Sequence, residues 1–154
     1  MKKLTITFII LLLVGCDTPY IQPTAGENSA ELIMKSDKWF GGKISFSSVS
    51  GEGCHKYEGL IGWLYVSKSA TAKIRTNKTT YIKTNWFDLD SNGFTKTAKS
   101  CVNIISFIPL NDHRYEITEI LYENSCESKL IDLDTHQPPD SFKVIPFPQT
   151  CTNE

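Results

Sequence analysis

The chain has no Cys-x-x-Cys pair, so the close spacing of a tetrahedral zinc site or a dithiol redox centre is missing. It has no Gly-x-Ser-x-Gly elbow, which removes the nucleophile of an α/β-hydrolase. A His-Glu-x-x-His helix motif and a phosphate-binding glycine loop are also absent. Lys and Arg nowhere form a block, and nucleic acid binding needs a concentrated basic face. No apolar run approaches the roughly 20 residues of a spanning helix. There is no internal repeat, no low-complexity tract and no 3.6-residue apolar pattern of helix length. What is present, 154 residues at 40% hydrophobic and 21% charged, suits one folded domain and excludes wholesale disorder.

The first sixteen residues carry an address. Lys2 and Lys3 form a positive start, and residues 4–14 form an apolar run interrupted only by Thr5 and Thr7. A short apolar run behind a positive start is a secretion signal, not structure. It is followed by Leu13-Val14-Gly15-Cys16, which resembles a lipobox, where bacterial signal peptidase II cuts before a lipid-modified cysteine. The resemblance implies a bacterial membrane lipoprotein precursor, with residues 1–15 removed and diacylglycerol on Cys16. The alternative is an ordinary secreted chain with a chance cysteine. Several acyl chains anchor stably where one does not. Asp17 resembles the inner-membrane retention mark of enteric-type bacteria, so the expected location is the periplasmic face of the inner membrane, with the outer membrane as alternative. Loss of Lys2 and Lys3 leaves 14 basic side chains against 17 acidic ones, a balance of −3.

Residues 16–29, with Pro19, Pro23, Gly26 and Asn28, read as a lipidated N-terminus and flexible tether. Thirteen extended residues reach at most roughly 45 Å. The folded domain then runs over 30–154. Short strands are predicted at 30–34, 43–49, 57–66, 71–76, 79–86, 101–110, 114–122, 127–134 and 142–147, separated by turn residues. Ile44, Phe46 and Ser48 share one face of the second. Gly59 and Gly62 in the third mark a bulge or a close backbone approach. Asn77-Lys78 suits a tight hairpin between the fourth and fifth. The clearest hairpin is 101–110 with 114–122, turning at 109–113, where Tyr115, Ile117, Glu119 and Leu121 alternate with Glu116, Thr118, Ile120 and Tyr122. The expected fold is an antiparallel β-sandwich, or small barrel, of about eight strands.

Besides Cys16 there are four cysteines, and an even number in an exported domain implies disulfides. Cys101 and Cys126 flank the best hairpin, which favours Cys101–Cys126 with Cys54–Cys151. Cys54–Cys101 with Cys126–Cys151 is the other arrangement considered.

Two side-chain groupings carry candidate chemistry. Asp88, Asp90 and Asn92, followed by Gly93, match the opening of a calcium loop, in which alternate oxygens converge on the cation. Lys99 stands where the bidentate Glu would be, and a polar turn between strands explains the same residues. Calcium is therefore the one ligand the sequence suggests. Among Trp39, Phe40, Trp63, Tyr65, Trp86, Phe87 and Phe94, the aromatics in strands read as core, and Trp39 and Phe94, in turns, as exposed partner contacts. The three histidines, His55, His113 and His136, fall in turns, with no readable catalytic partner.

The sequence expectation is a non-enzymatic envelope protein bound to the membrane through Cys16 and to another envelope protein. Two alternatives stand beside it. An inhibitor or immunity-type protein against a hydrolase calls for a protruding loop with an acidic or aromatic plug. A small periplasmic enzyme calls for a concave pocket holding a His and a carboxylate of shifted pKa.

Overall fold

The computed structural model describes residues 18–37, 42–51, 56–65, 68–91, 96–123 and 125–145. These hold nine strands: β1 Ser29–Ser36, β2 Lys43–Ser50, β3 Lys56–Leu64, β4 Ser69–Arg75, β5 Thr80–Ser91, β6 Lys96–Phe107, β7 Arg114–Leu121, β8 Cys126–Asp132 and β9 Lys143–Ile145. They form two sheets, ordered β4-β1-β7-β8 and β3-β2-β5-β6-β9. The fold is all-β, with nine strands, as many as the short segments read from the sequence and one above the rounded figure of about eight. One neighbouring pair, β1 with β7, is parallel, so the sandwich is not purely antiparallel. Parallel neighbours cannot be joined by a tight turn; here five intervening strands separate them.

Period-2 alternation builds the core. Ile44 and Phe46 of β2, Ile82 of β5 and Ile105 and Phe107 of β6 face Leu32 and Met34 of β1, Ile74 of β4 and Tyr115 and Ile117 of β7. Tyr115 packs against Phe107 with ring centroids 5.1 Å apart, and its hydroxyl accepts from Leu110 N–H. The faces assigned to Ile44, Phe46 and Ser48, and to the Tyr115 series, are buried, although Ser47 and Val49 of β2 are buried as well.

Two expected hairpins are corrected. β4 and β5 lie in different sheets, and so do β6 and β7. The turn at Asn77, which takes φ 60°, and the stretch 108–113 instead carry the chain from one sheet to the other. They support each other, since Asn77 N–H donates to Pro109 C=O at 2.9 Å. The turn residues are the same either way, because a reversal of direction needs the same φ values whichever sheet receives the next strand.

The disulfide Cys101–Cys126 is present, with a Cα separation of 6.0 Å, which excludes the alternative pairing. It does not close a hairpin. It joins β6 of one sheet to β8 of the other. Cys54 and Cys151 lie outside the described residues, and so does Cys16.

The tether expectation is corrected for residues 18–28. Tyr20 N–H donates to Leu60 C=O, and Leu60 N–H to Thr18 C=O, both at 2.9 Å, so Pro19 bridges edge strand β3 in parallel. On the other sheet, Lys73 N–H of edge strand β4 donates to Gln22 Oε1 at 2.9 Å. This strap fastens two sheet edges at once, and Pro23 is buried beneath it. Edge strands leave unpaired backbone groups, and the strap satisfies some of them. It also accounts for Gly59, where a Cβ would stand 2.7 Å from Tyr20 Cα. Gly59→Val is expected to expel the strap, seen as faster amide exchange at Leu60 and proteolysis within 18–22, while the two sheets persist.

Candidate functional site

The end of the five-stranded sheet formed by the start of β2 and the end of β3 presents aromatic side chains to solvent. Ile44 and Leu64 are Cα partners and both point inward, so alternation turns Lys43, Ser45 and Trp63 outward. On β5, Trp86 points inward and Phe87, the Cα partner of Lys43, outward. Trp63 is 51% exposed, Tyr65 57% and Phe87 44%. The Trp63 and Tyr65 rings lie 6.4 Å apart at 43°, and Lys43 Nζ stands 5.1 Å from the Trp63 ring centroid. Such an exposed cation–π contact contributes about 0.5–1 kcal/mol and steadies the indole. The expectation that strand aromatics are core holds for Trp86 and fails for Trp63, Tyr65 and Phe87. Parity with Leu64 gives the outward side of Trp63 and Tyr65, but buried Ile61 gives the opposite answer, because the β2–β3 register shifts at Ile61.

Beside this face β5 and β6 continue as a pair, the arm, which among the described residues has no further strand beside it. β2 begins at Lys43 opposite Phe87, but β5 continues to Ser91, paired with Lys96 to Lys99 of β6. Asp88 and Asp90 therefore sit on a strand, as Cα partners of Lys99 and Thr97, and not in a loop. Strand pairing outlasts the apolar pattern because the ladder bonds are backbone bonds. Asn92, Trp39 and Phe94 lie outside the described residues.

Behind the face, between the sheets, sits a buried carboxyl. Glu119 has no exposed surface. Ser128 Oγ donates to its Oε2, Asn103 Nδ2 donates to Oε1 at 2.8 Å, and Thr84 Oγ1 and Ser128 Oγ share a hydrogen bond at 3.1 Å. Burial pushes Glu119 above the ordinary carboxylate range, although Ser128, Asn103 and Thr84 pull it down and the Asp37 charge pushes it up. A raised folded-state value means stability is fullest below the unfolded value and falls as pH rises through the folded one. Glu119→Gln is accordingly expected to stabilise the domain by about 1 kcal/mol at pH 7, and to have little effect near pH 4, by urea melts.

The opposite end of the sandwich joins His113, Asp132 and Asp134. His113 Nδ1 and Asp132 Oδ2 are 2.7 Å apart, and His113 borders a cavity of about 510 Å³ that also meets Gln22, Lys73 and Arg114. Burial raises Asp132, but the hydrogen bonds from His113 and the Asp134 N–H outweigh it and hold the carboxyl below its ordinary value. One ligand atom from each of the three lies within 4.8 Å of the others, a set that could hold a cation. The carboxylate oxygens already have partners, however. Asp134 N–H donates to Asp132 Oδ1, Arg114 N–H donates to Asp134 Oδ2, and Arg114 Nη2 is 3.9 Å from Asp134 Oδ1. Among the described residues no hydroxyl or thiol bonds His113. The cluster ties the start of β7 to the end of β8. The sequence did not reveal it, because the partners are nineteen positions apart and meet only through the β7–β8 register, in which Tyr115 faces Asp132.

Compared with known proteins, the chain matches no family model and no curated relative.

Proposed function

We propose that this chain is a lipid-anchored protein of the bacterial cell envelope, a non-enzymatic module that docks another envelope protein through the aromatic end of its five-stranded sheet. The observation that carries the docking reading is the exposure of Trp63, Tyr65 and Phe87 together on one sheet face. Exposed aromatics beside a cation match the composition of the buried centres of protein interfaces, where Tyr and Trp supply much of the binding energy. The anchor reading rests on Leu13-Val14-Gly15-Cys16, and Asp17 favours the periplasmic face of the inner membrane. Cys54 and Cys151 complete the proposal as a second disulfide.

The experiment is capture from detergent-solubilised membranes, combined with intact mass. The purified protein is expected to begin at Cys16 with an acyl mass and no free thiol among its other cysteines. Cys16→Ser is expected to move it out of the membrane fraction. A native chain beginning at Met1 without acyl mass overturns the anchor. Failure to capture any envelope protein overturns the docking reading.

The arm supports the second reading, an inhibitor. A two-stranded ribbon with no further strand beside it is a shape able to enter a hydrolase cleft, and Phe94, near its tip in sequence, would be the plug.

A further inference from the structure

We infer that the end of the sandwich at the start of β3 is a membrane-facing surface that holds anionic phospholipid headgroups through Lys56, Arg75 and Lys78. The inference rests on lipidation of Cys16 as proposed above.

Chain length is the first argument. Thr18 is held on β3 through Leu60, so only Cys16 and Asp17 separate an anchor from the folded domain. Two extended residues reach roughly 7 Å, against the roughly 45 Å of a free thirteen-residue tether. The strap runs parallel to β3, so Thr18 is the strap residue nearest the β3 start, at Lys56. Tyr57 Oη donates to Thr18 C=O at 3.0 Å there. A lipid on Cys16 therefore brings this end of the domain within about one Debye length of the headgroups, where charges on the two surfaces act on each other.

Charge and side-chain character are the second argument. A depression of about 490 Å³ at this end is bordered by Ile21, Lys56, Tyr57, Glu58, Arg75 and Lys78. Among the described residues three cations face one carboxylate in this depression, although the mature chain is acidic overall and Asp112, Asp132 and Asp134 stand at the same end of the sandwich, beside β7 and β8. Glu58 Oε2 accepts from Ser48 Oγ at 2.8 Å, which engages it with its own sheet. Ile21 is 74% exposed, and Tyr57 is also exposed. An apolar side chain and a tyrosine flanking cations suit the boundary between headgroups and acyl chains. The depression is open, a form that meets a charged surface better than it encloses one small anion. This orientation points the aromatic end away from the membrane. β5 runs from the Thr80 end to the arm over twelve residues, roughly 40 Å.

The test uses the lipidated protein reconstituted in phosphatidylcholine vesicles or in vesicles containing phosphatidylglycerol, with amine labelling read by peptide mass. Lys56 and Lys78 are expected to label about threefold more slowly, or less, in the anionic vesicles, while Lys129, on the outer face of β8, labels alike in both. Equal labelling of Lys56 and Lys78 in the two vesicles, or equal protection of Lys129, overturns the inference and leaves the anchor standing. Equal protection by millimolar inorganic phosphate in neutral vesicles marks a free-anion site and overturns the headgroup assignment. Absence of an acyl mass on the same sample overturns the anchor, and the inference with it.

Discussion

Replacing Cys101 and Cys126 together by serine is expected to lower the stability of the domain by about 3.5 kcal/mol, from the entropy of a loop spanning 25 positions. The bridge joins two sheets at the level of the buried Glu119 network, and Asn103 Nδ2 contacts both Glu119 Oε1 and Cys126 Sγ, the latter at 3.1 Å. The strands on either side pair within their own sheets, so each sheet retains its ladder when the bridge is gone. What loosens is the packing of one sheet on the other around a carboxyl that burial already disfavours as an anion. Loosening relieves that burial, so the loss is expected to be smaller at pH 7 than at pH 4. Urea denaturation of the wild type and the double variant at both pH values checks it. A change below about 1 kcal/mol would show that the cross-sheet bridge adds little to the core.

Trp63→Ala is expected to weaken capture of the envelope partner by about thirtyfold or more, the loss of roughly 2 kcal/mol typical of an aromatic hot spot. The same variant lowers stability by only about 1 kcal/mol, because it gives up the cation–π contact with Lys43 while the half-exposed indole contributes little to the core. Tyr65→Ala and Phe87→Ala are expected to act in the same direction. Ile131→Ala, an exposed apolar residue on the other sheet, is the control that leaves capture unchanged. Quantitative binding of the lipidated protein to the captured partner, with melts on each variant, reads both effects. If Phe94→Ala abolishes capture and Trp63→Ala does not, the arm is the contact and the inhibitor reading replaces the docking face.

Alternation was legible because burial acts residue by residue. Ile44 and Phe46, or Tyr115 and Ile117, announce an inward face wherever their strand ends up. Glu119 was legible as a member of that inward series, but its tolerance inside the core was not. That depends on Asn103 and Ser128, which arrive from two other strands. Gly59 announced a close approach without naming the neighbour, and the neighbour is Tyr20 in a segment whose prolines, Gly26 and Asn28 had the composition of a tether. Composition describes what a segment can do alone, and the strap's order comes from backbone bonds to Leu60, which any residue other than proline can make.

The sequence by itself determined the strand periodicity, the four cysteines besides Cys16 and the resemblance of Leu13-Val14-Gly15-Cys16 to a lipobox, since each is a local pattern. Only the tertiary structure decided that 77–78 and 108–113 cross between sheets, that Cys101–Cys126 is a bolt between them, and that Trp63, Tyr65 and Phe87 share an open face. The physical reason is common to all three. A turn, a thiol or an aromatic ring carries the same local chemistry whichever sheet lies beyond it, and the choice of sheet is made by the combined burial of residues far apart in the chain.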